Sequence, residues 1–497
     1  MFNLKYSSKL EWEFLQNDIN LITYNIINDV PLYSIKSCDI KRGENFEIIL
    51  DVNCGLNSEN QSFFDNEFFL DEIIFENYRE IIKVNHCKIK HKTFSVGENS
   101  EYHFIFNVNH IERIYKTHNL ENEVCYIKEW YLNSIHDNLV FTRPTRYIVN
   151  QEYIKIRDNT PTEDIKFKEE YLPDSSGDHL FLTLNKFNVI LQKVPEEFGP
   201  EWSNCLGIEY HKEYNTPLPD VRRKTSQIAS FLLGRNLIKI GKTYYNSEWH
   251  IIGEIALSSG VSSRLNLKTI SNYRDLPAIV YYDGFMDMYN WEIQASEIIN
   301  SYLDCDLDLS QIMNNLLISM CVPTEAEIIM IGGCLDELSK KWFESDRSLS
   351  HGKVIGAKEY NNIISNELLA IEEKLEKYPE IYSNIENSYK LSGRKKVDLF
   401  LDELEIEVGA SEDKARNYRN IPAHGQGMSD KTRFKFVYVT DIYRSFLNRI
   451  LLKLLGFHSY YDLTSGNMRS INEKISEKDF EKNIKELERF YYEHYTI

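Results

Sequence analysis

The chain has 497 residues, more than the roughly 250 to 300 that one hydrophobic core organises, so two or three domains are expected. Its 42% hydrophobic and 27% charged residues make a globular composition and exclude a disordered chain. A net charge of −19 excludes a surface that attracts nucleic acid or anionic membrane as a whole, so any RNA contact needs a local basic patch.

In chain order, the first half reads as β-rich. Phe46 to Val52, Glu101 to Val108, Val124 to Leu132 and His179 to Leu191 are short, rich in β-branched and aromatic residues, and separated by Asn, Asp, Gly and Ser turns. An antiparallel sheet or sandwich follows from that pattern. Pro219-Asp220 then opens a helix carrying Val221, Ile228, Phe231 and Leu232 on one side, with Gly234 placed to end it. A hairpin is expected from Leu237 to Tyr245 and Trp249 to Ile255, and a helical stretch beginning near Trp291 closes this region between 290 and 320.

From about 325 the period changes to helical. Ile328, Ile331, Leu335 and Leu338 form one stripe; Ile363, Ile364, Leu368, Ile371 and Leu375 form another, with Pro379 as a breaker. Phe436, Val439, Tyr443, Phe446, Leu447, Ile450, Leu451 and Leu454 make the longest, ended by Gly456. The expected fold class is α+β multidomain. Residues 1–320 are β-rich, with a further break between 150 and 215, and residues 321–497 form an all-α bundle of about four or five helices.

The N-terminal residues lack a signal-peptide core, and no uninterrupted apolar run of about 20 residues occurs. A cytoplasmic protein without a membrane partner is expected. Cys38, Cys54, Cys87, Cys125, Cys205, Cys305, Cys321 and Cys334 form no CxxC and read as reduced core thiols. His86, Cys87 and His91 lack the spacing and further ligands of a zinc site, and no GxxxxGK[ST], GxGxxG or HExxH occurs, so no metal and no cofactor is expected.

The chemistry concentrates in residues 411–427. Ser411 reads as an N-cap with Glu412 and Asp413 in the first turn. Arg416, Asn417, Arg419, Asn420 and His424 follow, before a Gly425-Gln426-Gly427 turn. In an unbroken helix residues five apart point about 140° away from each other. Pro422 disfavours the helical conformation at Ile421, so a kink or restart is expected between Arg419 and His424 that lets them converge on one cleft. Histidine titrates near neutral pH and serves as acid or base; arginine stays cationic and offers a planar fork to phosphate oxygens. Together they can cleave RNA through its own 2′-hydroxyl. Lys431, Arg433 and Lys435, with Arg416 and the upstream Arg394-Lys395-Lys396, form a candidate phosphate-tracking patch. The bland alternative makes Arg416 and Arg419 salt-bridge partners of Glu412 or Asp413, and the lysines a solvated helix start.

Arg419, the polar Asn420 after it and His424 beyond four intervening positions resemble the R-x4-6-H signature of HEPN domains, helical bundles that commonly act as endoribonucleases. The form Arg419-Asn420-Ile421-Pro422-Ala423-His424-Gly425, ahead of a long Leu/Ile/Phe helix, is most similar to the ApeA-like HEPN proteins of bacterial antiphage defence. Ile228 to Arg235 and Gly241 to Tyr245 look like part of the β-rich region that accompanies those domains. The resemblance implies Arg419 and His424 as the catalytic pair, ordered by Asn420, with a further acidic residue on an earlier helix; Asp336 and Glu337 both qualify. It implies an RNA substrate, tRNA among the candidates, a homodimer or higher homo-oligomer, and a trigger such as a phage protein. The competing expectation is a catalytically inactive HEPN-like module for dimerisation and ligand binding.

Overall fold

The computed structural model describes residues 9–10, 18–28, 30, 32–43, 46–56, 69–96, 100–134, 145–149, 153–158, 169–171, 179–185, 187–193, 205–211, 217–248, 250–259, 277–279, 288–352, 355–386, 391–423, 430–475, 480–486 and 489. The fold is α+β, with an antiparallel β-rich N-terminal region and a helical C-terminal region. It divides into two compact units: Met1–Asp275 with Tyr281–Asn300, and Leu276–Val280 with Ser301–Ile497.

Unit 1 is organised by one long strand, Glu101–Tyr115. Along one edge it pairs with Glu80–Ser95 over nearly its whole length. Its other edge forks, the first half pairing with Ile48–Gly55 and the second with Ile251–Leu257. Strict alternation makes this possible. In Ile48–Gly55 the side chains of Ile48, Leu50, Val52 and Cys54 are buried while those between them are not, and Tyr102, Phe104, Phe106 and Val108 do the same opposite. Among the described residues thirteen strands join in this sheet, every pairing antiparallel.

The run His179 to Leu191 is two strands, His179–Thr183 and Asn188–Lys193, closed by a Leu184 N–H bond to Phe187 O of 3.1 Å. The chain on either side of the interval 150–215 belongs to one sheet, since Tyr126–Leu132 pairs with Ile238–Tyr245 beyond it as well as with Leu206–His211 inside it. Within that interval, Tyr153–Asp158 and Glu169–Tyr171 join Thr145–Val149 and Lys9–Leu10 in a separate four-stranded sheet.

Helix α1, Pro219–Leu233, has Pro219 in its first turn and ends on Gly234 at φ 65°, with Arg235 N–H returning to Ser230 O. Helix α2, Met288–Leu303, covers the sheet edge at His179–Thr183. Its Glu292, Ser296 and Asn300, four residues apart, accept the backbone N–H groups of Phe181, Thr183 and Asn185 at 3.2, 3.1 and 2.9 Å. An exposed edge is thereby satisfied by side chains of one helix stripe.

Unit 2 holds α3 (Ser310–Ser319), α4 (Thr324–Glu344), α5 (Ala357–Lys374), α6 (Pro379–Glu386), α7 (Gly393–Glu403), α8 (Ala410–Tyr418), α9 (Asn420–Ala423) and α10 (Asp430–Leu454). Seven of these lie beyond residue 321, where four or five were expected; caps at Ser392 and Gly409 and the turn at Arg419 begin or divide the short helices between α6 and α10. Pro379 does not merely break α5; it opens α6, where a missing N–H costs nothing. A hairpin, Ser459–Asp462 with Asn467–Ser470, follows α10. The change of unit at Asn300/Ser301 and the change of period near 320 are distinct, since α3 is helical and packs on α4. No helix among the described residues is long and apolar enough to cross a membrane.

Helix α10 is the core of unit 2. From Val439 to Leu452 almost every side chain is buried, including those of Arg444 and Arg449. Each arginine is matched. Arg444 meets Glu327 of α4 through Nε at 2.9 Å and Nη2 at 2.5 Å, and Arg449 meets Glu412 of α8 at 2.9 Å. Arg449 also donates to Ile471 O at 2.6 Å and Glu407 O at 3.3 Å, so one guanidinium ties three segments to the central helix.

Candidate active site

Helix α8 begins at Ala410 with Gly409 as its N-cap, not Ser411. Ser411 is wholly buried inside the first turn, while the Glu412 carboxylate accepts the Gly409 N–H at 2.6 Å and caps the helix from its third residue. Burial pushes the Glu412 carboxyl above its ordinary range, against the pull of Arg449.

A restart does occur between Arg419 and His424, at the start of that interval and ahead of Pro422. Helix α8 ends at Tyr418, Arg419 forms the turn, and α9 restarts at Asn420. Pro422 sits within the first turn of α9, where proline fits and removes no helical hydrogen bond. His424 lies outside the described residues, as does the Gly425-Gln426-Gly427 turn.

The turn sends Arg419 across α4. Its Nη1 donates to Asp336 Oδ2 at 2.9 Å and to Gly332 O at 3.2 Å. Of the two acidic residues the resemblance left open, Asp336 therefore lies against Arg419, whereas Glu337 faces Lys340 at 3.8 Å. Gly332 makes this approach possible. A Cβ there would stand 2.7 Å from Arg419 Cδ, 2.8 Å from Nη1 and 3.4 Å from Tyr443 Oη, whereas one on neighbouring Gly333 would meet nothing within 4 Å. Burial works against the Arg419 charge, but Tyr443 and Asp336 outweigh it and hold the guanidinium above its ordinary value. Burial pushes the Tyr443 hydroxyl up to about 12, with Arg419 and Arg416 pulling the other way. Tyr443 is thus a neutral phenol at physiological pH, and Asp336 is the charge that Arg419 feels there.

Beside this group is a cavity of about 200 Å³, walled by Leu335, Asp336, Arg394, Val397, Arg416, Asn417, Arg419, Asn420 and Tyr443. Its size suits a phosphate group with a few waters rather than a drug-sized ligand of roughly 300 Å³ or more. Three arginines and two asparagines in its lining offer hydrogen-bond donors to oxyanions. Each arginine is also held by an aspartate: Arg394 by Asp413 at 2.9 Å, Arg416 by Asp398 at 2.7 Å, Arg419 by Asp336. Arg394 further donates to Asn417 Oδ1 at 2.7 Å.

Of the sequence candidates, Arg394, Arg416, Arg419 and Asn420 come together around this cavity. Arg416 pairs with Asp398 and, at 3.7 Å, with Asp413, so the salt-bridge alternative also describes it. Lys435 lies over the Tyr418 ring, 5.7 Å from its centroid. The side chains of Lys431 and Arg433 are outside the described residues. Gly332 and Tyr443 were not anticipated in the site. The signal for Gly332 was two adjacent glycines in a 21-residue helix, a costly pair that usually marks a close approach. Tyr443 was hidden in the apolar stripe of α10. No family model, no curated protein and no solved structure matches this chain.

Proposed function

We propose that the chain is an endoribonuclease of the HEPN kind that acts in antiphage defence, cleaving cellular RNA without a metal ion or cofactor once infection triggers it. The observation that supports this reading most is the seat of Arg419: a cation held at a helix break by Asp336, beside a phosphate-sized cavity lined by Arg394, Arg416, Asn417 and Asn420. In the reaction, the 2′-oxygen of the substrate forms a bond to the adjacent phosphorus as the P–O5′ bond breaks. His424 takes the 2′-hydroxyl proton or gives one to the leaving oxygen, Arg419 neutralises the non-bridging oxygens, and Asn420 orients the pair. The products are a 2′,3′-cyclic phosphate and a 5′-hydroxyl. Two copies facing each other supply both an acid and a base. Residues 1–320 carry the sensing role, with a phage protein as the candidate trigger.

Full-length protein incubated with an RNA oligonucleotide in excess EDTA is expected to leave 2′,3′-cyclic or 3′-phosphate ends and to spare DNA of the same sequence, which lacks the nucleophile. Cleavage that vanishes in EDTA and returns with Mg²⁺ would overturn the reading.

The two glycines of α4 separate stability from activity. Gly333→Ala is expected to stabilise the protein by roughly 0.5–1 kcal/mol, the helix-propensity gain, with cleavage unchanged. Gly332→Ala offers the same gain but forces Arg419 off its seat, so cleavage should fall about tenfold or more. Thermal unfolding and cleavage assays of both variants check this; equal activity in the two would show that the position of Arg419 does not matter.

A further inference from the structure

Unit 1 contains a second gathering of cations, distant in sequence from the segment just described. Strand Ile238–Tyr245 pairs with Tyr126–Leu132, so that Lys242 stands opposite Glu129 and Lys239 opposite Tyr131. An irregularity in register between Lys239 and Gly241 shifts the pleat by one residue, and the two lysines, three apart, share one half-buried face. Arg222 of α1 reaches the same face. The Glu129 carboxylate, 1% exposed, accepts from Arg222 Nε at 3.0 Å, from Lys239 Nζ and from Tyr131 Oη at 2.7 Å.

One buried carboxylate is therefore shared by two cations, and Lys242 is the third. Its ammonium lies 4.9 Å from the centre of the Tyr244 ring and makes no ion pair among the described residues. Arg222 and Lys239 repel it, and Glu129 and Glu112 attract it from a distance. Burial pulls the Lys242 ammonium below its ordinary value, and Arg222 adds to that effect. Keeping an ammonium half-buried without a contacting carboxylate costs free energy that a bound anion would return. The geometry is that of an oxyanion site: a guanidinium and two ammonium groups with fewer carboxylates than charges, on a chain whose net charge is −19.

We propose that Arg222, Lys239 and Lys242 bind an oxyanion of the phosphate class, with Lys242 contacting it directly and Glu129 holding the other two cations in place. Calorimetric titration of the full-length protein at low ionic strength, with inorganic phosphate in one arm and adenosine 5′-monophosphate in another, tests this. Lys242→Gln is expected to weaken phosphate binding about tenfold, as loss of one charge-assisted hydrogen bond does, while Arg223→Gln on the exposed face of α1 leaves it unchanged. Lys239→Gln serves as a second variant should Lys242→Gln unfold. Arg419→Ala must retain the Lys242-dependent binding, which separates this site from the cavity of unit 2. Tighter binding of the nucleotide marks a nucleotide as the source, and equal binding marks free phosphate. Equal phosphate affinity in wild type and folded Lys242→Gln, absence of binding to wild type, or binding lost only in Arg419→Ala overturns the proposal.

Discussion

Arg419→Ala and His424→Ala proteins are expected to fold normally and each to lose RNA cleavage by about 10²- to 10⁴-fold, the range for removing an acid–base group or a preorganised cation. For Arg419 the folding part of this follows from its surroundings. The side chain is 30% exposed and its partner Asp336 is 46% exposed, so the pair contributes about 0–1 kcal/mol and the freed carboxylate is readily hydrated. Cleavage is the sensitive measurement and urea unfolding the control. Undiminished cleavage by a folded His424→Ala protein would remove the proposed mechanism, whereas no cleavage by the wild type would leave the chain as a binding or dimerisation module. Mixing the two inactive proteins under conditions of subunit exchange extends the test: if Arg419 of one copy works with His424 of another, heterodimers regain activity, and if each copy works alone the mixture stays inactive.

The largest stability effect is expected at Glu412 and Arg449, which are 0% and 1% exposed. Glu412→Ala leaves the Arg449 charge buried with only carbonyl partners, and removing one member of such a pair costs about 3–5 kcal/mol, a large part of the roughly 5–15 kcal/mol that holds a typical domain. It also removes the cap on the Gly409 N–H. The double variant Glu412→Leu with Arg449→Met is expected to lose clearly less than the two single losses combined, because no charge is left stranded. Urea denaturation of wild type, Glu412→Leu, Arg449→Met and the double variant measures this coupling, with Glu412→Ala alongside; additive losses, or a Glu412→Ala cost below about 1 kcal/mol, would remove the pair as the anchor of α8. The consequence reaches the candidate site, since the helix anchored by this pair carries Arg416 and leads into Arg419.

What the sequence determined by itself is the local order. Alternation in Ile48–Gly55 and Glu101–Val108, the apolar stripes of α4 and α10, and the stops at Gly234 and Gly456, at φ 65° and 76°, depend on neighbours within a few residues, and the structure places them as the pattern implies. The Arg419-to-His424 segment was legible for the same reason: its residues are adjacent in the chain. The tertiary structure alone decided which distant groups surround it. Asp336 was chosen over Glu337 because successive helical residues point about 100° apart and only one faces the α8–α9 turn. Gly332 became part of the site because a side chain 87 residues away crosses it, and Arg449 became a core residue because Glu412 meets it across 37 residues. The restart falls at Asn420, inside the interval from Arg419 to His424, but not at Pro422 itself, because the turn at Arg419 puts Pro422 in a first turn, where proline is tolerated. Contacts between elements are set by which faces pack, and a periodic pattern specifies a face without naming its partner.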